Sequence, residues 1–174
     1  MTDALLMVVG DRPGYTPRVA RLVAMMTYAR HSVLAEVEGL SVAQLDHLHD
    51  RQSNSIGALL MHSAAVERFD QETLDIRHPE GSDDERADWD AAGELGDAGR
   101  TRLRGRPLAH DLDVLAGVRR QTLDALRDRD DAWLDQEKRW GDRCVNRHWM
   151  WFHVMEDELN HRGQIRWLKR RLPA

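Results

Sequence analysis

The segment His153-Val-Met-Glu-Asp157-Glu-Leu-Asn-His161-Arg-Gly-Gln-Ile165, close to the end of the chain, decides the fold. At 3.6 residues per turn, Val154, Asp157, His161, Ile165 and Leu168 share one face, extended upstream by Met150 and His153 and downstream by Leu172. The spacing predicts one long helix from about Asn146 to Leu172. Its inward face is apolar except where it carries imidazoles and a carboxylate. Burying a lone carboxylate there costs several kcal/mol or forces it to take up a proton. Asp157 therefore needs a partner.

Upstream, three more segments carry the same periodicity. Thr16-Pro17 opens a helix in which Val19, Leu22, Val23, Met26, Val33 and Val37 recur, and Gly39 ends it. Ser41 and Gln44 have the spacing of a capping box and predict a short helical turn. A second long helix starts near Ser53-Asn54-Ser55 and runs to about Ile76, with Leu59, His62, Val66, Phe69 and Thr73 as its inward stripe. A third follows Pro107, with Leu108, Leu112, Leu115, Val118, Thr122 and Ala125 on one side. Residues 77–106 form a long Gly-, Asp- and Arg-rich connection containing Pro79, with a short helix around Trp89 from Asp83 to Ala92. Residues 129–146 read as a second connection, and no strand or repeat is expected. The result is an all-α, up-down four-helix bundle with a long connection between helices 2 and 3, a single domain over 1–174.

Composition narrows the function. The 174 residues are 41% hydrophobic, enough for a real core. Net charge is −5 with both signs interspersed, so no nucleic-acid partner is expected. Basic charge is almost wholly arginine. The N-terminal apolar stretch from Met1 to Gly10 is too short to span a bilayer and has no basic segment before it, so neither a membrane partner nor a secretory signal is expected. Cys144 is the lone cysteine and fits a reducing compartment; the expected location is cytoplasmic.

Asp157 and His161, four residues apart, project from the same face. With His62 from the second inward stripe they make three ligands for a divalent transition metal, zinc or nickel foremost, and leave coordination positions open. Two plainer readings stand beside this one. His62 fits a core histidine with satisfied hydrogen bonds, and Asp157 with His161 fits an ordinary ion pair.

The segment from His153 to Ile165 resembles the C-terminal helix of the DinB/YfiT-like superfamily of metal-binding bundles, which reads His-x3-His followed by Arg-Gly-Gln-Ile. The stretch Asn54-Ser-Ile-Gly-Ala-Leu-Leu-Met-His62-Ser-Ala-Ala-Val-Glu67 resembles its second helix, whose histidine is the first ligand. Position 157 is Asp where the family usually has His. A related branch, which includes mycothiol-dependent maleylpyruvate isomerase, has Glu at that place. The resemblance implies a metal-dependent hydrolase or a transferase using a low-molecular-weight thiol (mycothiol, bacillithiol or glutathione). It equally allows a non-enzymatic, stress-associated bundle with a structural or vestigial metal.

Other residues take secondary parts in this reading. His153, one turn before Asp157, is expected to hydrogen-bond Asp157 or water, or to move a proton beside a small-molecule substrate. Glu67 and Glu158 are expected on solvated faces, and Arg162 and Gln164 in packing or capping. Trp149, Trp151 and Trp167 are expected as core or interface anchors, and the surplus of tryptophan suggests a homodimer. Nothing near Cys144 in sequence would activate it as a nucleophile.

Overall fold

The computed structural model describes residues 6–78 and 81–173, so residues 1–5 of the apolar N-terminal stretch and Pro79 lie outside the described residues. Its long helices are α1 (Pro17–Val37), α3 (Ile56–Asp70), α6 (Leu108–Leu126) and α8 (Arg147–Lys169). Between them lie α2 (Val42–Leu45), α4 (Asp83–Glu94), α5 (Gly96–Arg102) and α7 (Asp131–Asp135). The expected up-down bundle is present. α8 packs against α1 and α3, and α3 packs in turn against α6. Among the described residues no helix is long and apolar enough to cross a membrane.

Helix starts follow local chemistry, with one transfer. Ser41 and Gln44 form the expected capping box, Ser55 accepts the Ala58 amide to open α3, and Asn146 accepts the Trp149 amide to open α8. Thr16 does not cap α1. Its hydroxyl donates to Asp131 Oδ1 at 2.5 Å, and that same oxygen accepts the Arg18 and Val19 amides. A carboxylate carries more negative charge to the helix N-terminus than a hydroxyl, so the cap comes from α7.

Several expectations are corrected. The second helix stops at Asp70 and tightens into a 3-10 turn over Gln71–Leu74; Asp75, in the left-handed region at φ 62°, ends it before Ile76. Phe69, placed in the inward stripe, is 58% exposed and lines an open cavity, whereas Thr73 of the same stripe is buried. The 77–106 connection is largely helical: a Ser82–Glu85 capping box opens α4, and a break at Leu95 separates it from α5. Its Ala91, Ala92 and Leu103 pack on Ala58 and Met61 of α3. Gly99 is buried against the Ala91 carbonyl and Ala58, so the small residues there belong to packed helix and not to a loop.

A further correction is a hairpin within residues 129–146. β1 (Glu137–Trp140) pairs antiparallel with β2 (Arg143–Asn146), with Trp140 opposite Arg143 across a tight turn at Gly141, φ 60°. Its strands are short, charged and largely exposed, so no apolar alternation betrays them. Packing of Trp140 on Trp149 of α8, 4.9 Å between ring centroids, holds the hairpin to the bundle.

The core contains charge. One side chain from each long helix meets at its centre: Arg30 from α1, Glu67 from α3, Arg119 from α6 and Glu158 from α8, all buried. Arg30 donates to Glu158 at 2.5 Å and Glu67 at 2.9 Å; Arg119 donates to Glu67 at 2.8 Å and Glu158 at 3.0 Å. The solvated faces expected for Glu67 and Glu158 are thus wrong. Burial pushes the Glu67 carboxyl up, but Arg119 and Arg30 outweigh it and hold it below the ordinary range. The arginines also join α1 to α6, Arg30 donating to the Leu115 carbonyl and Arg119 to the Met26 carbonyl.

Candidate metal centre

His62 on α3 and Asp157 and His161 on α8 come together as the spacing requires. Asp157 Oδ1 lies 3.2 Å from His161 Nε2 and 3.7 Å from His62 Nε2. The two imidazoles meet edge to face, 4.9 Å between centroids. One ligand atom from each residue lies within 4.8 Å of the others, a spacing that one ion can span.

The far side of each ring fixes which nitrogen faces inward. His62 Nδ1 is 2.7 Å from the carbonyl of Ala92 on α4, which only accepts, so Nδ1 carries the hydrogen. His161 Nδ1 donates likewise to Gln164 Oε1 at 3.1 Å. Both Nε2 lone pairs therefore point at Asp157. This is the outer hydrogen bonding that orients metal-ligating histidines and raises their basicity.

Three acceptors facing one another need a cation between them. Asp157 Oδ2 is also buried and has no hydrogen-bond partner. Burial pushes the Asp157 carboxyl up, yet a proton on Nε2 of His161 or His62, where the metal would otherwise sit, holds it well below the usual carboxylate range. Burial pushes the His62 imidazole down, and the Asp157 carboxylate and the Ala92 carbonyl more than reverse that. A proton meets this demand partially; a divalent ion meets it for all three residues at once. The donor set of two imidazole nitrogens and one carboxylate fits a divalent transition metal. Side-chain exposures of 15% at His62 and 14% at Asp157 leave one edge of the trio reachable from solvent.

The remaining candidates occupy different places. His153 bonds Glu156 through Nδ1 at 3.1 Å, not Asp157, and its ring stacks on Trp149 at 5.2 Å. Arg162 donates to Ser32 of α1, a packing role. Trp151 is fully buried, whereas Trp167 is 44% exposed beside His49 and Arg171. Cys144 lies exposed on the hairpin, and its hydrogen bond to Glu137 pushes the thiol pKa up, the opposite of activation. The Ala92 carbonyl escaped sequence reasoning because a backbone acceptor leaves no mark in the residue pattern. Gln164 was visible only as part of a motif.

No curated protein matches the chain. Among solved structures it is similar to a conserved protein of Enterococcus faecalis, with TM-score 0.62 and 15% identity over 86% of this chain and 93% of that one, a likeness of fold. Residues 21–173 match the family model described as mycothiol-S-transferase. That match spans most of the chain, and with a His62, Asp157 and His161 triad able to coordinate a divalent metal the chain belongs to the mycothiol-S-transferase family, within the DinB-like bundles.

Proposed function

We propose that this protein is a metal-dependent transferase of a low-molecular-weight thiol, mycothiol first among them, with His62, Asp157 and His161 as the protein ligands. The observation that carries the reading is the pairing of two oriented Nε2 atoms with a carboxylate along one open edge. A divalent ion held there supplies Lewis acidity, lowering the pKa of a thiol or polarising a carbonyl. The chain's own groups do the rest. Ala92 and Gln164 lock the imidazole orientations, and Asp157 supplies the negative charge. His153 is held through Nδ1 by Glu156 and braced on Trp149, which leaves Nε2 to take or give a proton. Its place on α8, one turn before Asp157, supports that part.

Metal-assisted hydrolysis and a non-enzymatic, stress-associated role are the rival readings. The open edge and the oriented ligands favour catalysis over a closed structural ion. The test is elemental analysis followed by cobalt substitution and titration with mycothiol, bacillithiol and glutathione. A sulfur-to-cobalt charge-transfer band should appear in the near ultraviolet with the correct thiol, strengthen as pH rises, persist in Cys144→Ser and vanish in His161→Ala. A spectrum indifferent to all three thiols removes the transferase reading. We further propose one cytoplasmic domain that pairs as a homodimer, supported by the exposed Phe152 and Trp167 on α8. Light scattering at the mass of a single chain across micromolar concentrations would count against the dimer.

A further inference from the structure

Beside the metal centre lies a cavity of about 850 Å³ between α3, the 3-10 turn and α4. It shares two walls with His62. Ala65, one turn beyond His62 on α3, lines it, as does Gly93, which follows the Ala92 that holds the His62 ring. Its apolar surface comes from Phe69, Ile76 and Trp89.

One feature of that cavity has no structural use. The Arg68 guanidinium lies 4.6 Å above the Trp89 ring. Arg30, Arg119, Arg18, Arg100, Arg102, Arg106, Arg129 and Arg166 each hold a carboxylate. Among the described residues Arg68 holds none, although Glu72, Asp90 and Glu94 line the same cavity. Those three are exposed, whereas Arg68 is half-buried, and loss of water around it lowers its pKa. His78 Nε2, in the same lining, is buried without a partner, while the ring bonds the Arg68 backbone and is pushed towards its neutral form by burial and by the Arg68 charge. The Arg68 guanidinium is thus left with donor capacity unspent, next to that neutral-leaning ring. A guanidinium lying over an indole ring keeps its N–H edge free for a planar, bidentate acceptor.

We propose that this cavity binds a carboxylate-bearing organic acid with an apolar body, Arg68 gripping the carboxylate and Phe69 and Trp89 flanking the body. Arg77 also lines the cavity but is exposed; the rim carboxylates Glu72, Asp75, Asp90 and Glu94 disfavour a dianionic phosphate, while the half-buried Arg68 fork satisfies a monoanion. Six positions of α3 separate Arg68 from His62, an axial rise of about 9 Å combined with a turn of about 120° around the helix, so an acid anchored at Arg68 must be longer than that rise to approach the metal edge. The inference rests on the transferase reading only in naming this acid as the thiol's co-substrate; the binding itself needs neither thiol nor metal.

The test uses 2-naphthoate and its neutral counterpart 2-naphthamide, titrated into the full-length protein by ligand-observed NMR. Wild type should bind naphthoate at least about tenfold more tightly than naphthamide, the scale of one charge-assisted pair. The preference should disappear in Arg68→Gln, return in part in Arg68→Lys, and survive in His161→Ala, which removes the metal. Equal binding of the two probes by wild type, or an undiminished preference in Arg68→Gln, overturns the proposal. Loss of the preference in His161→Ala also overturns it, by placing the carboxylate on the metal. The cobalt spectrum with thiols is read separately, so either result stands without the other.

Discussion

Asp157 and Glu158 are neighbours in sequence and serve two different charge clusters. Asp157 Oδ1 faces the imidazoles of His161 and His62, whereas Glu158 Oε1 accepts from Arg30 and Arg119. A turn of about 100° between consecutive helix positions separates the two carboxylates and lets one helix serve both. The arginine–glutamate cluster joins all four long helices, and through α3 and α8 it sets the register in which His62 meets Asp157.

Removing one member of that cluster strands the others. Arg119→Met should destabilise the fold by about 3–5 kcal/mol, because Glu67 and Glu158 each lose a buried partner. Urea denaturation monitored by circular dichroism measures this. A midpoint unchanged from wild type would show that water or rearrangement satisfies both carboxylates.

His62→Ala and His161→Ala should each abolish stoichiometric binding of a divalent transition metal, since three ligands leave no redundancy. Gln164→Leu keeps all three ligands but frees the His161 ring, and should weaken affinity by about ten- to a hundredfold. Competition against a chromophoric chelator reads each case. Full metal content in both alanine variants would refute the trio.

Asp157→His should keep or strengthen metal binding by supplying a third imidazole in place of the carboxylate. Elemental analysis of the folded variant gives the answer. Loss of metal from a variant with native helicity would mean that the site requires the carboxylate.

Stability should also depend on pH through Asp111. Burial raises its carboxyl to about 7, with Arg106 opposing and Asp46 assisting, and Oδ1 has no hydrogen-bond partner. The folded state then holds a proton that the unfolded chain releases near its ordinary value of 3.8. Its contribution is therefore lost as pH rises from about 4 to 7. Asp111→Asn should raise stability at pH 8 by up to about 4 kcal/mol and leave it nearly unchanged at pH 4. Urea midpoints at the two pH values decide the matter; an equal shift at both would place the effect outside ionisation.

Local periodicity determined much of this protein. The i, i+4 spacing alone places Asp157 and His161 on one face, and the apolar stripes around Leu59, Leu115 and Ile165 define three of the four long helices, because a helix repeats at short range. The composition of residues 77–106 and the polar strands around Gly141 misled, since small residues packed on α3 and a hairpin held by one tryptophan contact carry no period. Only the tertiary structure decided that Glu67 and Glu158 are buried, that Asp131 caps α1, and that a carbonyl of α4 orients His62. Each of these depends on which distant segment lies alongside. A charged side chain at an inward position becomes tolerable only when a partner arrives from another helix, and that arrival is fixed by packing.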